Sequence, residues 1–178
     1  MRIIAGKWKG RKVLPHVSKM PTRPTTDRVR ESLFNRWHHE YDWSYTTALD
    51  LFSGTGLISL EFLSRGVPEV HSVDQHPTVI RHLQELQVEF EDVNHWHIHS
   101  QSASLFLQSQ TKPYALIFAD PPYDWPQIKD LPDMIFEGPG LLPQGQLAIE
   151  HDKFIDFDSH SRFFDSRTYG RTKLSFFE

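Results

Sequence analysis

From residue 46 onward the chain alternates short apolar runs with longer segments of helical periodicity, and this alternation restricts its fold more than any other feature. The runs lie at 48–52, 70–74, 96–99, 114–118 and 146–150, with helical segments near 57–65, 76–88, 102–108 and 127–136 between them. Strands separated by helices require crossover connections, so the pattern predicts a parallel, doubly wound α/β sheet. The end of the chain breaks the alternation. Residues 163–169 and 172–177 read as two strands joined by a turn at Gly170-Arg171, so a terminal antiparallel hairpin completes a seven-stranded sheet.

Charge divides the chain unevenly. Residues 1–36 carry ten Lys or Arg against Asp27 and Glu31, a local charge of +8, while the rest sums to −12 and the whole to −4. A compact basic segment on an acidic body suits phosphate binding, because neutralised phosphates release counterions. Taken alone, the same segment is also compatible with a solvated basic tail. Within it, 2–6 and 10–14 read as a small β-hairpin around a Lys-rich turn. Thr25 or Thr26 can then cap a helix whose Val29, Leu33 and Trp37 share one face. We therefore expect a basic extension over 1–45 and a main domain over 46–178. A length of 178 residues fits one core. With no cysteine, disulfides, thiolate metal sites and cysteine nucleophiles are excluded. No apolar run approaches the roughly 20 residues that span a bilayer, and the first residues lack the apolar stretch of a signal peptide. A cytoplasmic protein with no membrane partner is the expectation.

Asp50-Leu51-Phe52-Ser53-Gly54-Thr55-Gly56 lies where the first sheet strand turns into its helix, which lets backbone amides approach a ligand. The loop lacks the Gly-Lys-Ser/Thr ending of a phosphate loop. Ser59 takes the third glycine position of a dinucleotide fingerprint, and Asp50 would set a carboxylate beside a pyrophosphate. An acid there favours a cation, and S-adenosylmethionine carries an ammonium on its methionine end. The next strand ends in Asp74, where a carboxylate can accept hydrogen bonds from two ribose hydroxyls. By itself a two-glycine loop is also an ordinary structural turn.

A second motif sharpens this reading. Asp120-Pro121-Pro122-Tyr123 follows the fourth strand at the same edge of the sheet. An exocyclic amino group of a nucleobase is a poor nucleophile because its lone pair is delocalised into the ring. The Asp120 carboxylate and the Pro121 carbonyl can each accept one amino hydrogen and localise that pair, while Tyr123 stacks on the base. Consecutive prolines, Pro121 and Pro122, stiffen the backbone that presents these acceptors. The sulfonium methyl is already activated, so positioning supplies much of the rate and no metal is expected. Without the glycine loop, the same four residues would be merely a stiff turn.

Together these motifs resemble the bacterial 16S ribosomal RNA guanine-N2 methyltransferases of the RsmD type, over essentially the whole chain. The resemblance rests on Arg2-Ile3-Ile4-Ala5-Gly6 with Gly10-Arg11-Lys12, the segment from Arg23-Pro24-Thr25-Thr26-Asp27 to Asn35, the glycine loop, Asp120-Pro121-Pro122-Tyr123, and Tyr169-Gly170-Arg171-Thr172. It implies a Rossmann-like class I methyltransferase fold that uses S-adenosylmethionine and acts as a monomer. The implied substrate is one guanine of 16S rRNA in assembled or nearly assembled 30S subunits. Asp120 to Tyr123 would be catalytic; Asp50, Phe52, Ser53, Gly54, Thr55, Gly56, Asp74 and Ser102 would hold cofactor. Arg2, Lys7, Lys9, Arg11, Lys12, Arg23, Arg28 and Arg30 would hold RNA. Ser102 departs from the family, which usually has an acid there contacting the adenine amino group, so cofactor affinity is what this position affects.

Other signals weigh less. His95, His97 and His99 alternate and would share a strand face, which invites a metal reading. Such sites usually recruit a carboxylate or cysteine, so a half-exposed strand face is preferred. Glu150-His151 ends the fifth strand at the same edge, where contact with base or RNA is one reading and an ordinary strand end the preferred one. The nearest rival function is a DNA adenine-N6 methyltransferase, disfavoured because only residues 1–45 remain to read a groove. A non-catalytic RNA-binding assembly factor is the rival of another class, and intact Asp50, Asp74 and Asp120 argue against it.

Overall fold

The computed structural model describes residues 1–14, 25–91 and 93–178. Seven strands form one sheet: β1 Thr47–Leu51, β2 Glu69–Asp74, β3 Trp96–Ser100, β4 Tyr114–Ala119, β5 Leu141–Asp152, β6 Phe163–Tyr169 and β7 Thr172–Phe177. Their spatial order is β3-β2-β1-β4-β5-β7-β6, parallel from β3 to β5 and antiparallel at β7 and β6. The expected doubly wound sheet with its terminal hairpin is therefore present. Strand β5 starts five residues earlier than its apolar run: Leu141 pairs with Tyr114, and after a register shift the regular ladder begins with Gln146 opposite Leu116.

The pleat sends alternate residues to opposite faces, and each face has its own core. Ala48, Val70, Trp96, Leu116 and Phe118 face α1 Asp27–Glu40, α2 Leu57–Ser64 and α3 Pro77–Glu89. Leu49, Leu51, Val73, Ile117 and Ile149 face α4 Ala103–Ser109 and α5 Leu131–Phe136. Helix α2 is buried along its whole length, which explains why it carries no polar stripe. Of the two candidate caps for α1 it is Thr26 that accepts from the Val29 amide. Val29, Leu33 and Trp37 are buried as expected, and Phe34 and Trp37 clasp the Phe62 ring of α2 at 4.9 and 5.6 Å. The described residues of the segment 1–45 thus share a core with the sheet, through Ile3, Val13, Val29, Leu33, Phe34, Trp37 and Trp43. None of the described helices is long and apolar enough to cross a membrane.

The N-terminal hairpin is present: Arg2 bridges Lys12 antiparallel, the Ile3 amide donates to the Arg11 carbonyl at 3.0 Å, Gly10 to the Ile3 carbonyl at 2.9 Å and Val13 to the Met1 carbonyl at 2.9 Å. Its turn is also anchored on α2. The Ser64 carbonyl accepts from the Lys7 amide at 2.7 Å, and the Ser64 hydroxyl donates to the Ala5 carbonyl at 2.6 Å. Gly6 is required there: its φ is +82°, and a Cβ would lie 1.8 Å from the Ser64 carbonyl oxygen.

Candidate active site

Between β1 and β4 the chain connections leave in opposite directions, and the carboxyl ends of these two strands open on a cavity of about 550 Å³. Both sequence motifs reach it. The glycine loop comes from β1 and Asp120-Pro121-Pro122-Tyr123 from β4, and Asp50 stands beside Phe118 in the strand register. Seven of the eight expected cofactor residues and all four expected catalytic residues line this one cavity; Gly56 does not, and instead starts α2 with Leu83 and Leu86 against it.

Asp50 is 1% exposed. Burial, the largest influence, lifts its carboxyl to about 7; hydrogen bonds from the Ser59 amide and hydroxyl pull the other way, and nearby Asp74 pushes up again. A relay aims this carboxylate. Trp96 Nε1 donates to the Ser72 hydroxyl at 2.7 Å, Ser72 meets the Ser59 hydroxyl, and Ser59 donates to Asp50 Oδ2. Sequence reading noted Ser59 only as a missing glycine, and nothing local linked it to Ser72 and Trp96 on other elements. Asp74 uses Oδ1 to accept from the His76 amide at 2.9 Å and Oδ2 to accept from the Gly54 amide at 3.1 Å. Each carboxylate oxygen has room for one further donor. Burial is the main reason that this carboxyl, too, lies above its ordinary range.

The loop residues divide by role. Ser53 ties the turn to β2 through its amide to the Val73 carbonyl at 3.1 Å and to β1 through its hydroxyl to the Asp50 carbonyl at 2.7 Å. Gly56, at φ +72°, starts α2, and a Cβ there would meet Leu83 Cδ2 at 2.6 Å. Phe52 holds a left-handed backbone at φ 61°, uncommon for a bulky residue, and its ring packs edge-on against Trp125 at 5.1 Å. Ser102 caps α4 by accepting from the Leu105 amide at 3.2 Å, which occupies one of its acceptor positions.

On the β4 side, the Asp120 amide donates to the Leu51 carbonyl at 3.4 Å, which fixes the loop to β1. The Pro122 carbonyl accepts from the Trp125 amide at 2.9 Å. Tyr123 is anchored by its hydroxyl to Thr172 Oγ1 of β7 at 3.0 Å. Thr25 Oγ1 donates to Asp120 Oδ2 at 3.4 Å, so the residue two before α1 reaches the Asp120-Pro121-Pro122-Tyr123 loop. That contact spans 95 residues and had no sequence signal beyond the family segment. Glu150 is buried and lines the cavity; His151 turns to the other face of β5, where Nε2 lies 2.8 Å from the Ser175 hydroxyl.

The expected RNA-binding cations do not form one patch. Arg2, Lys7, Lys9, Lys12 and Arg28 are exposed. Arg30 is corrected: it is fully buried, its guanidinium donates to the Arg2 carbonyl at 2.7 Å and to Asp27 at 3.0 Å, and Glu61 lies 3.6 Å away. It braces the fold and cannot reach a surface ligand. Arg11 is half-committed, stacked 3.8 Å over the Phe90 ring and bonded to the Glu89 carbonyl at 2.8 Å. Arg23 lies outside the described residues. Residues 5–11 dock on the last residues of α2 and α3, whereas the cavity lies at the first residues of both. The 13 residues of α3 put about 20 Å between the two places. Arg28 lies 5.8 Å over the Tyr169 ring, away from this turn.

Comparison with known proteins agrees with this fold. The family model described as Conserved hypothetical protein 95 matches residues 1–178. The Ribosomal RNA small subunit methyltransferase D of Haemophilus influenzae is 35% identical over 159 residues, covering 86% of this chain and 79% of that protein. The Putative rRNA methyltransferase YlbH of Bacillus subtilis is 35% identical over 159 residues, covering 88% and 85%. Among solved structures, the Putative methyltransferase yhhF from Escherichia coli superposes with a TM-score of 0.83 at 26% identity, covering 99% of this chain and 96% of that one. An RNA methyltransferase from Salinibacter ruber, solved in complex with S-adenosyl-L-homocysteine, shares the fold at a TM-score of 0.67 and 12% identity, covering 87% and 92%.

Proposed function

Because this chain belongs to the same family as the ribosomal RNA small subunit methyltransferases D, we propose that it methylates the N2 amino group of one guanine in 16S rRNA, with S-adenosylmethionine as donor. The observation that carries this reading is the single cavity at the β1/β4 switch point, bracketed by Asp50, Asp74 and Asp120. The residues fit the cofactor. Asp50 is a buried carboxylate suited to an ammonium, Asp74 retains acceptor capacity for vicinal hydroxyls, and Phe52 with Trp125 forms an apolar wall. Bound S-adenosylmethionine supplies an activated methyl group. The protein's part is positioning: Asp120 and the Pro121 carbonyl accept the two amino hydrogens, and Tyr123, held by Thr172, stacks on the base.

The substrate has to bridge the cavity and the basic turn, a distance that suits a folded RNA within a 30S particle. A ribosomal substrate places the protein in the cytoplasm. The deciding experiment supplies labelled S-adenosylmethionine with undermethylated 30S subunits, free 16S RNA and duplex DNA, followed by nucleoside analysis. Label in N2-methylguanosine supports the proposal. Label in N6-methyladenine of DNA transfers the activity to the rival, and label nowhere leaves the assembly-factor reading.

Two predictions arise here. Neutralising Lys7, Lys9 and Lys12 should weaken RNA binding and reduce the slope of log K against log salt by up to about 0.9 per lost phosphate contact. An unchanged slope rejects the basic turn as RNA surface. The second concerns pH. A carboxyl at about 7 is still protonated near pH 6, and a cationic ligand pairs only with its anion. Cofactor affinity should therefore fall as pH drops below 7, approaching tenfold per unit, in calorimetric titrations between pH 5.5 and 8. A flat profile would remove Asp50 from the ammonium site. Stability of the ligand-free protein moves the other way: since the folded value is raised above the ordinary 3.8, the stabilisation is complete below about 4 and lost as pH rises through 7.

A further inference from the structure

On β1, β4 and β5, the face turned toward α4 and α5 carries Leu49, Leu51, Ile117 and Ile149. On the outer strands of the same sheet that face changes character. Glu69 and His71 on β2, and His97 and His99 on β3, take the positions where the inner strands have aliphatic residues. His71 stands directly opposite His97, and Val73 opposite His99. Helix α4 covers only part of this region, reaching His99 through Phe106 at 4.9 Å, so His97 is exposed and Glu69 and His71 are half-buried.

The donors converge. His71 Nε2 lies 3.0 Å from Glu69 Oε1, the His71 and His97 rings are 4.7 Å apart, and one ligating atom from each of Glu69, His71 and His97 falls within 4.8 Å of the other two. A tetrahedral ion with bonds of about 2.0–2.1 Å holds its donors roughly 3.3 Å apart, so small side-chain rotations are enough to bring this set to bonding geometry. A second observation points the same way. The remaining ring nitrogen of His71, Nδ1, is 2.9 Å from His99 Nε2, and the edge of Tyr114 packs against the ring at 5.3 Å. An imidazole whose second nitrogen is held by a neighbour has its tautomer and orientation set, which is the usual support of a metal-bound histidine.

We propose that Glu69, His71 and His97 form a site for a borderline divalent cation of the zinc class, with a fourth position left to water. Two imidazoles and one carboxylate suit Zn²⁺, Cu²⁺ or Ni²⁺, whereas Mg²⁺ and Ca²⁺ prefer all-oxygen donors. The site is separate from the methyl-transfer cavity, which lies at the carboxyl ends of the same strands with Asp74 and Ser102. A bound ion ties the edge strand β3 to β2. The alternation of His95, His97 and His99 on its own lacked a carboxylate; β2 supplies one, together with the better-placed His71.

The test uses the full chain without an affinity tag. Co²⁺ titration should give saturable visible absorption at one equivalent, displaced by Zn²⁺, which binds the same donors more tightly, and not displaced by millimolar Mg²⁺. His97→Ala and Glu69→Gln should each weaken Zn²⁺ binding by at least about 30-fold, since even loss of a supporting residue costs roughly 10–100-fold. Both side chains are outside the core, so unchanged circular dichroism and melting in the absence of metal separate lost binding from lost folding. Zn²⁺ should raise the melting temperature of the wild type and not of His97→Ala. The proposal is overturned if Co²⁺ and Zn²⁺ fail to bind at about 100 µM, or if His97→Ala binds them as the wild type does.

Discussion

Asp120→Ala should lower the single-turnover rate of methyl transfer to 30S subunits by about 10²–10³-fold, the usual effect of removing a fixed group that meets charge developing in the transition state. Cofactor affinity should stay within about twofold, because Asp50 and Asp74, on other strands, carry the proposed cofactor contacts. The loss would sit in the rate of transfer, since on the proposed mechanism Asp120 acts on the amino group only as its lone pair localises. Asp120→Asn keeps one acceptor oxygen but loses the charge, and should fall between the two. Thr25 makes a further distinction possible: its hydroxyl meets Asp120 Oδ2, so Thr25→Val should cost less than Asp120→Ala while leaving RNA affinity intact. Near-full activity of Asp120→Ala in the labelled-methyl assay would end the proposed mechanism.

The second large effect concerns stability. Glu61 is fully buried on α2 and lies 3.6 Å from both Arg30 and Arg65, while its Oε1 accepts the Ile4 amide. Burial lifts the Glu61 carboxyl above its usual range despite two arginines, and lowers Arg65 for the same reason. Desolvation therefore outweighs attraction for Glu61 and for Arg65, and the group holds together because opposite charges meet in it. Glu61→Gln removes the anion between two buried cations and should cost about 3–5 kcal/mol, seen as a lower urea midpoint and a melting temperature reduced by roughly 10 °C. Exchange of the Ile3 and Val13 amides should accelerate first, as the N-terminal segment loses its anchor. Replacing Glu61 and Arg30 together by Leu and Met should recover part of the loss, because a buried ion pair and a packed apolar pair are often nearly equivalent. A change under about 1 kcal/mol in Glu61→Gln would mean that the cluster does not hold the N-terminal segment.

Much of this molecule is written in local pattern. The alternation of apolar runs with helical periods specified the parallel sheet, because each strand or helix must bury its own face whatever its neighbours are. The glycine loop and the Asp-Pro-Pro-Tyr turn were legible for the same reason, since each depends on backbone geometry within a few residues. That both reach one cavity followed from the rule that such loops lie at the carboxyl edge of a parallel sheet. What tertiary structure alone decided are the contacts between elements distant in sequence. Arg30 reads as one more cation of a basic segment, and only the packing of α1 on α2 shows it buried against Glu61. Ser59, Ser72 and Trp96 sit on three elements, and their relay to Asp50 exists only when α2, β2 and β3 are assembled. The turn of the N-terminal hairpin is anchored on α2 through Ser64, and the histidines of β3 acquired Glu69 and His71 through strand register. Periodicity records which face of an element is dry. Which charged or polar groups meet there depends on desolvation and packing between elements, and a linear pattern holds no record of those.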